Sequence, residues 1–230
     1  MTRWQAVQRL ELEFWSKWST LALYRNLDVP NYWEQELAQF GFTWEGFRGL
    51  LVLDVGCGPI GLIHYLDHAA ERICVDQLLT QYVRQRPLQG RQFSISAMGE
   101  SLPLAARSVD LAICFNALGH MLDPDAALDE IARVLNLGGT ALLMIHTFPG
   151  WLRPFYWIDR IHPHHYTAEA FVAKVKKRFG IEGLLTIKRS FDLPPVRWLS
   201  PSCWKYIAAD MVVASTYIRA SRAAWREPHV

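Results

Sequence analysis

Asp54, Gly56, Gly58 and Gly61 stand together in one short stretch, LLVLDVGCGPIG over Leu50–Gly61. An apolar run ends in an acid and gives way to glycines spaced GxGxxG. This order predicts a buried parallel strand, a tight turn and the start of a helix. Glycine has no Cβ, so a ligand can approach the main chain closely. A turn at the carboxyl end of a strand is where open α/β sheets place their ligands. The expectation is a nucleotide-like cofactor. A second acid, Asp76, closes the apolar run RICVD twenty residues after Gly56.

Two cofactors fit such a loop. Dinucleotides use GxGxxG because the pyrophosphate needs bare backbone N–H groups and a helix N-terminus. Asp54, two residues before the first glycine, opposes that choice, since a fixed negative charge repels a pyrophosphate. It suits a ligand with an ammonium and a sulfonium, which S-adenosylmethionine (SAM) carries. The plainer alternative is an aspartate that only caps the turn through its own backbone.

The chain beyond the loop continues with AMGESLPL and then VDLAICFNALGHMLDPDAALDEIARVLNLGGTALLMI. Together with LDVGCGPIG and Asp76, this order resembles the class I SAM-dependent methyltransferases, in the small-molecule branch with a GE-x-LP loop. The resemblance runs from about Leu50 to Ile145. It implies an α/β, Rossmann-like, doubly wound and mostly parallel seven-stranded sheet with an antiparallel closing strand. It also implies a helical N-terminal lid, and S-adenosylhomocysteine as product.

On this resemblance, Gly56, Cys57 and Gly58 run along the methionine portion of the cofactor, and Asp54 holds its ammonium through water. Asp76 accepts from both ribose hydroxyls, unless it is only a strand-end acid facing solvent. Gln77 flanks the adenine. Met98, Gly99 and Glu100 lie in the loop before the fourth strand. The family pattern often has an aspartate where Met98 stands, so Met98 is expected to pack on the ring, with Gly99 and Glu100 backbone reading its edge. Glu100 alternatively braces the loop. Asn116 follows the fourth strand, beside the sulfonium.

A neutral acceptor must lose a proton, and histidine suits that near pH 7. His120, four residues after Asn116, and His164 in IHPHHYT are the candidate bases. His146 ends the fifth strand, and His162 and His165 flank His164. The alternative for the cluster is a set of turn and helix-start residues. No metal is expected there, because no Cys or further His–carboxylate pair is spaced to complete a site.

Composition narrows the classes. Hydrophobic residues are 51% of 230, enough for one core, and a net charge of +2 is too mild to point to nucleic acid. Four scattered cysteines suggest reduced thiols in a cytoplasmic protein, with neither disulfides nor zinc. No apolar run reaches the roughly 18 residues of a membrane span, and Thr2–Arg9 lacks the apolar region of a secretory leader.

The elements that must position these residues fall in three parts of one domain over 1–230. Residues 1–47 read as a helical lid, with Val7, Leu10, Phe14, Trp18 and Leu21 on one face; Trp15, Trp18 and Tyr24 are expected over the acceptor. A second piece spans Tyr32–Phe40. Residues 48–150 are the cofactor-binding core, with strands at 50–54, 72–76, 92–95, 109–115 and 140–146. Helices there are expected near 60–68, 77–85 and 124–135. Asp123-Pro124 starts a helix and Gly138-Gly139 stops the chain before the next strand. Residues 151–230 carry acceptor-side loops, a helix at 167–179 and strands at 181–191 and 206–219. The long connection 192–202, with Trp198 and then Trp204, reads as a lid or a homodimer contact.

The function expected is methyl transfer from SAM to a small-molecule or carrier-linked acceptor with an apolar or sugar face, favouring O-methylation. ELEFWSKWS (Glu11–Ser19) also resembles the start of some bacterial methyltransferases of saccharide or natural-product pathways. Two other classes remain open: a non-catalytic SAM-fold binding protein, and a NAD-dependent oxidoreductase.

Overall fold

The computed structural model describes residues 3–18, 28–85, 90–158, 162–188 and 212–222. Two helices lead the chain: α1 (Arg3–Trp18) and α2 (Val29–Ala38). The Asp28 side chain caps α2 by accepting from the Asn31 N–H, and proline stands in its first turn. The strands are β1 (Leu51–Val55), β2 (Glu71–Val75), β3 (Phe93–Ile95), β4 (Val109–Phe115), β5 (Leu135–Thr147), β6 (Gly180–Lys188) and β7 (Ala214–Ser221). Between them lie α3 (Leu79–Gln85), α4 (Pro124–Val134) and α5 (Ala168–Lys176).

The seven strands form one sheet in the order β3-β2-β1-β4-β5-β7-β6. Pairs from β3 to β5 are parallel, and β7 runs antiparallel to both β5 and β6. This is the doubly wound sheet with a closing antiparallel strand that the sequence resemblance implies. Strand alternation builds a core on each face. Leu53, Val109 and Ala112 face Leu128 and Ile131 of α4 and Phe171 of α5. Val52, Leu111 and Ile113 face Trp33 and Leu37 of α2, with Phe40 and Phe47. Strand order reverses beside β1, so the ends of β1 and β4 open a crevice there.

Two expectations are corrected. The glycine loop does not lead into a helix over 60–68; Leu62–Tyr65 is a single 3-10 turn. The buried His64 ring explains the curl. Gln92 Nε2 donates to Nδ1 at 3.0 Å, which leaves Nε2–H to donate to the Gly58 carbonyl at 3.2 Å. The imidazole thereby ties the glycine loop to the segment that enters β3. Second, Gly138-Gly139 does not stop the chain before β5. The strand starts at Leu135, directly after α4, and the glycines sit inside it, opposite a register shift between Val109 and Leu111. Gly138 has φ +76° and its N–H donates to the Arg222 carbonyl, which fits a bulge.

Asp123 and Pro124 start α4 as expected, with Asp123 accepting from the Asp125 and Ala126 N–H groups. The Trp18 side chain, Tyr24, and the connection with Trp198, Cys203 and Trp204 lie outside the described residues. No described helix is long and apolar enough to cross a membrane.

Candidate active site

A cavity of about 600 Å³ lies along the carboxyl edge of the sheet, in the size range of small-molecule sites. Its floor is the ends of β1, β2, β4 and β5. Gln8, Glu11, Phe14 and Trp15 of α1, with Tyr32, Trp33 and Glu36 of α2, form its other walls.

At the β1 end, Gly56 takes φ +76° and its N–H donates to the Val75 carbonyl at 2.7 Å. A Cβ on Gly56 would come within 2.3 Å of Ala117 Cβ. Only glycine fits this turn, because both the dihedral and the space exclude a side chain. Cys57 lines the cavity with a buried thiol.

Both loop acids are buried. Asp54 is 3% exposed and accepts from the Ile63 backbone; burial pushes its carboxyl well above the usual carboxylate range. Burial also raises Asp76, against the pull of two backbone bonds. Its Oδ2 accepts from the Gly58 N–H at 3.1 Å and its Oδ1 from the Leu78 N–H at 2.8 Å. The carboxylate therefore clamps the glycine loop to the end of β2, and its remaining lone pairs stay available to a ligand.

Gln77 lines the cavity and its side chain donates to Gln8 of α1. Gly99 and Glu100 also line it, whereas Met98 does not. The turn closed by the Ser101 N–H on the Met98 carbonyl presents the next two residues instead. Met121 and Met144 are the methionines in the wall, and Met121 packs where a Gly99 Cβ would fall. Glu100 braces the loop: its Oε1 accepts from the Leu122 and Asp123 N–H groups. Asn116 sits at φ +51°, a region asparagine tolerates better than most residues. Its Oδ1 accepts from the His146 N–H at 3.3 Å.

The histidines separate. His120, His146 and His162 line the cavity. The His120 and His162 rings lie 4.4 Å apart between centroids. His164 does not reach the cavity. Its Nε2 lies 3.3 Å from the Leu122 carbonyl, and it lines a shallow depression with Tyr156 and Trp157. His165 stacks on Tyr156. Residues 162–165 thus turn one imidazole into the cavity and two toward the depression beside Tyr156.

Sequence reasoning did not single out Glu11. Its Oε1 accepts from Trp15 Nε1 at 2.8 Å, and its Oε2 lies 3.3 Å from His120 Nδ1. Burial raises this carboxyl; the Trp15 bond and the nearby His162 lower it. The pairing joins α1 to a turn more than a hundred residues away, so helical periodicity could not reveal it.

The charge of the lining is one-sided. It contains five carboxyl residues (Glu11, Glu36, Asp54, Asp76 and Glu100) and, among the described residues, no lysine or arginine. With no helix N-terminus after the glycines either, a pyrophosphate finds no fixed positive charge among the described residues here. A ligand bearing ammonium and sulfonium groups does. Among the described residues no group of three His, Cys, Asp or Glu is placed to hold a metal ion.

Residues 53–143 match the family model described as "Methyltransferase domain". The chain is 26% identical over 163 residues to 2-methyl-6-phytyl-1,4-hydroquinone methyltransferase of Spinacia oleracea, covering 67% of this chain and 45% of that one. It is 30% identical over 151 residues to malonyl-[acyl-carrier protein] O-methyltransferase of Pseudescherichia vulneris, covering 63% and 60%. The chain therefore spans about half the length of these relatives. Among solved structures it is similar to geranyl diphosphate C-methyltransferase of Streptomyces coelicolor, in complex with S-adenosyl-L-homocysteine. The TM-score is 0.63 at 13% identity, covering 84% of this chain and 76% of that one.

Proposed function

Residues 53–143 form a methyltransferase domain of the class I SAM-dependent family, and on that premise we propose that the chain methylates a hydroxyl of a small molecule with an apolar face. The observation that carries the reading is one cavity lined by the glycine loop, two buried acids and a histidine. When bound, SAM supplies an activated methyl group and leaves as S-adenosylhomocysteine.

The chain's own residues bind, orient and shield. The Gly56–Gly58 loop offers backbone to the amino-acid end, with Asp54 facing the ammonium. Asp76 takes the ribose hydroxyls, and Gln77, Gly99 and Met121 surround the base. Trp15 and Phe14 exclude water from above. Phe115, Trp33 and Tyr32 give the acceptor end flat apolar walls. His120 takes the acceptor proton on Nε2, where it can do so without a metal. A protein that only bound the cofactor would not need a histidine and an aromatic chamber beyond it. The direct test is incubation with SAM carrying a 13C-labelled methyl and a panel of phenols and alcohols. O-methyl products by NMR support the reading. Labelled products bearing the methyl only on carbon, nitrogen or sulfur contradict it.

Asp54 makes a separate prediction with opposite signs for stability and binding. A folded carboxyl raised by burial contributes stability that is full below the ordinary carboxylate range and is lost as pH rises through its folded pKa. Near pH 7 the ligand-free fold therefore carries a cost that a cation relieves. Asp54→Asn keeps an acceptor for the Ile63 N–H. It is expected to raise the ligand-free melting midpoint by about 2–4 °C at pH 7, with the gain shrinking toward pH 4. The same variant is expected to weaken SAM more than an analogue without the amino group. Equal losses for both ligands would show that the acid only shapes the turn.

A further inference from the structure

Helix α1 does more than cover the cavity. Glu11 is largely buried in its inner face, and its two oxygens have different partners. Oε1 is engaged by Trp15 Nε1 at 2.8 Å, and Oε2 lies 3.3 Å from the buried His120 Nδ1, at ion-pair distance without hydrogen-bond alignment. Trp15 is itself fixed edge-on to Tyr82 of α3 and to Phe14. The carboxylate is therefore held with Oε2 toward the imidazole. An acceptor-only group at Nδ1 stabilises the tautomer with its proton on Nδ1. In that tautomer Nε2 carries the basic lone pair. His162, with its ring 4.4 Å from His120, backs the imidazole on another side.

The second observation is charge. The walls around this pair hold Glu11, Glu36 and Glu100, with no lysine or arginine among the described residues. Glu36 is anchored by Tyr217, whose hydroxyl donates to Oε2 at 3.0 Å. A carboxylate or phosphate acceptor would enter a partly buried chamber that holds several carboxyl groups and, among the described residues, no lysine or arginine, which is costly. A neutral hydroxyl avoids that cost, and it needs a base because it arrives protonated.

We propose that Glu11 is a positioning residue that sets the tautomer of His120, and that the acceptor end is built for a neutral, weakly acidic hydroxyl on a flat apolar body, a phenol being the matching chemistry. In the step this supports, the acceptor O–H bond breaks, its electron pair stays on oxygen for the methyl, and the proton moves to His120 Nε2. The resulting imidazolium is paired with Glu11 until the proton passes to solvent. This rests on the methyl-transfer reading above.

Glu11→Gln separates the roles. With its amide oxygen kept on Trp15, the variant places an N–H donor opposite His120 Nδ1 and so favours the tautomer protonated on Nε2. Long-range 1H–15N NMR of the His120 ring reads this without any acceptor. The expected result is a proton on Nδ1 in the unsubstituted protein and on Nε2 in the variant. S-adenosylhomocysteine affinity by calorimetry should change by less than about threefold, since Glu11 lies outside the glycine loop.

The second arm measures S-adenosylhomocysteine release with para-substituted phenols and with benzoate. Transfer to unsubstituted phenol should fall by about 10²-fold or more in Glu11→Gln. Transfer to 4-nitrophenol at pH 6, where it enters neutral but gives up its proton more readily, should fall far less, and benzoate should be a poor acceptor for both proteins. An unchanged tautomer in the variant overturns the role of Glu11. Benzoate methylated faster than phenol overturns the acceptor class. Loss of S-adenosylhomocysteine binding by the unsubstituted protein would instead be the failure of the methyl-transfer reading itself.

Discussion

Replacing His120 by asparagine is expected to slow methyl transfer to a phenol by about 10²–10⁴-fold, the usual worth of a positioned general base. S-adenosylhomocysteine affinity should stay within about threefold, because His120 is not among the residues proposed to hold the cofactor. His120 closes the short turn Leu118–His120 after β4. Its Nδ1 lies 3.3 Å from Glu11, and on the proposal above Nε2 is the nitrogen that receives the proton. Single-turnover rates with the phenol that is methylated fastest give the chemical step without product release. A rate within about threefold of the unsubstituted protein, with cofactor affinity intact, would mean that the acceptor loses its proton elsewhere.

Asp76→Ala should weaken S-adenosylhomocysteine by at least about tenfold and up to roughly 10²-fold. A hydrogen bond to a charged group contributes about 1.5–3 kcal/mol, and about 1.4 kcal/mol is tenfold in affinity. The substitution removes the ribose acceptor. It also frees the Gly58 and Leu78 N–H groups that the carboxylate now holds, so the glycine loop loses its clamp to β2. His64 still ties the Gly58 carbonyl from the other side, so the loop should loosen without unfolding the sheet. Calorimetry reads the affinity and a thermal melt reads the fold. An unchanged dissociation constant would place the ribose elsewhere.

Much of this was legible in the chain. β1, β2 and β4 are short apolar runs with little else to be, and the glycines and two acids mark the crevice by their spacing. The illegible parts depended on partners distant in sequence. The helix expected after the glycine loop rests on local pattern, but His64 commits both ring nitrogens to Gly58 and Gln92 and curls the chain into one turn. Gly138-Gly139 looks like a stop signal, yet β4 pairs on either side of it, at Leu135 and Thr140, and the Arg222 backbone bonds both glycines. His164 and His162 have equal claims in sequence; only packing shows which ring enters the cavity. Glu11 was hidden for a different reason. On a helix read for its apolar stripe, a charged residue is assigned to solvent. Here it is covered by Trp15, His120 and the cavity wall.

The measurement that bears most directly on the central claim is a calorimetric titration of the protein with S-adenosylhomocysteine and, separately, with NAD. The glycine loop alone admits both ligands. The buried Asp54, the missing helix N-terminus and the lack of lysine or arginine in the described lining favour the first. The expected result is saturable binding of S-adenosylhomocysteine at one site per chain, with NAD at least about 10²-fold weaker. Tight NAD binding with no detectable S-adenosylhomocysteine binding would contradict it.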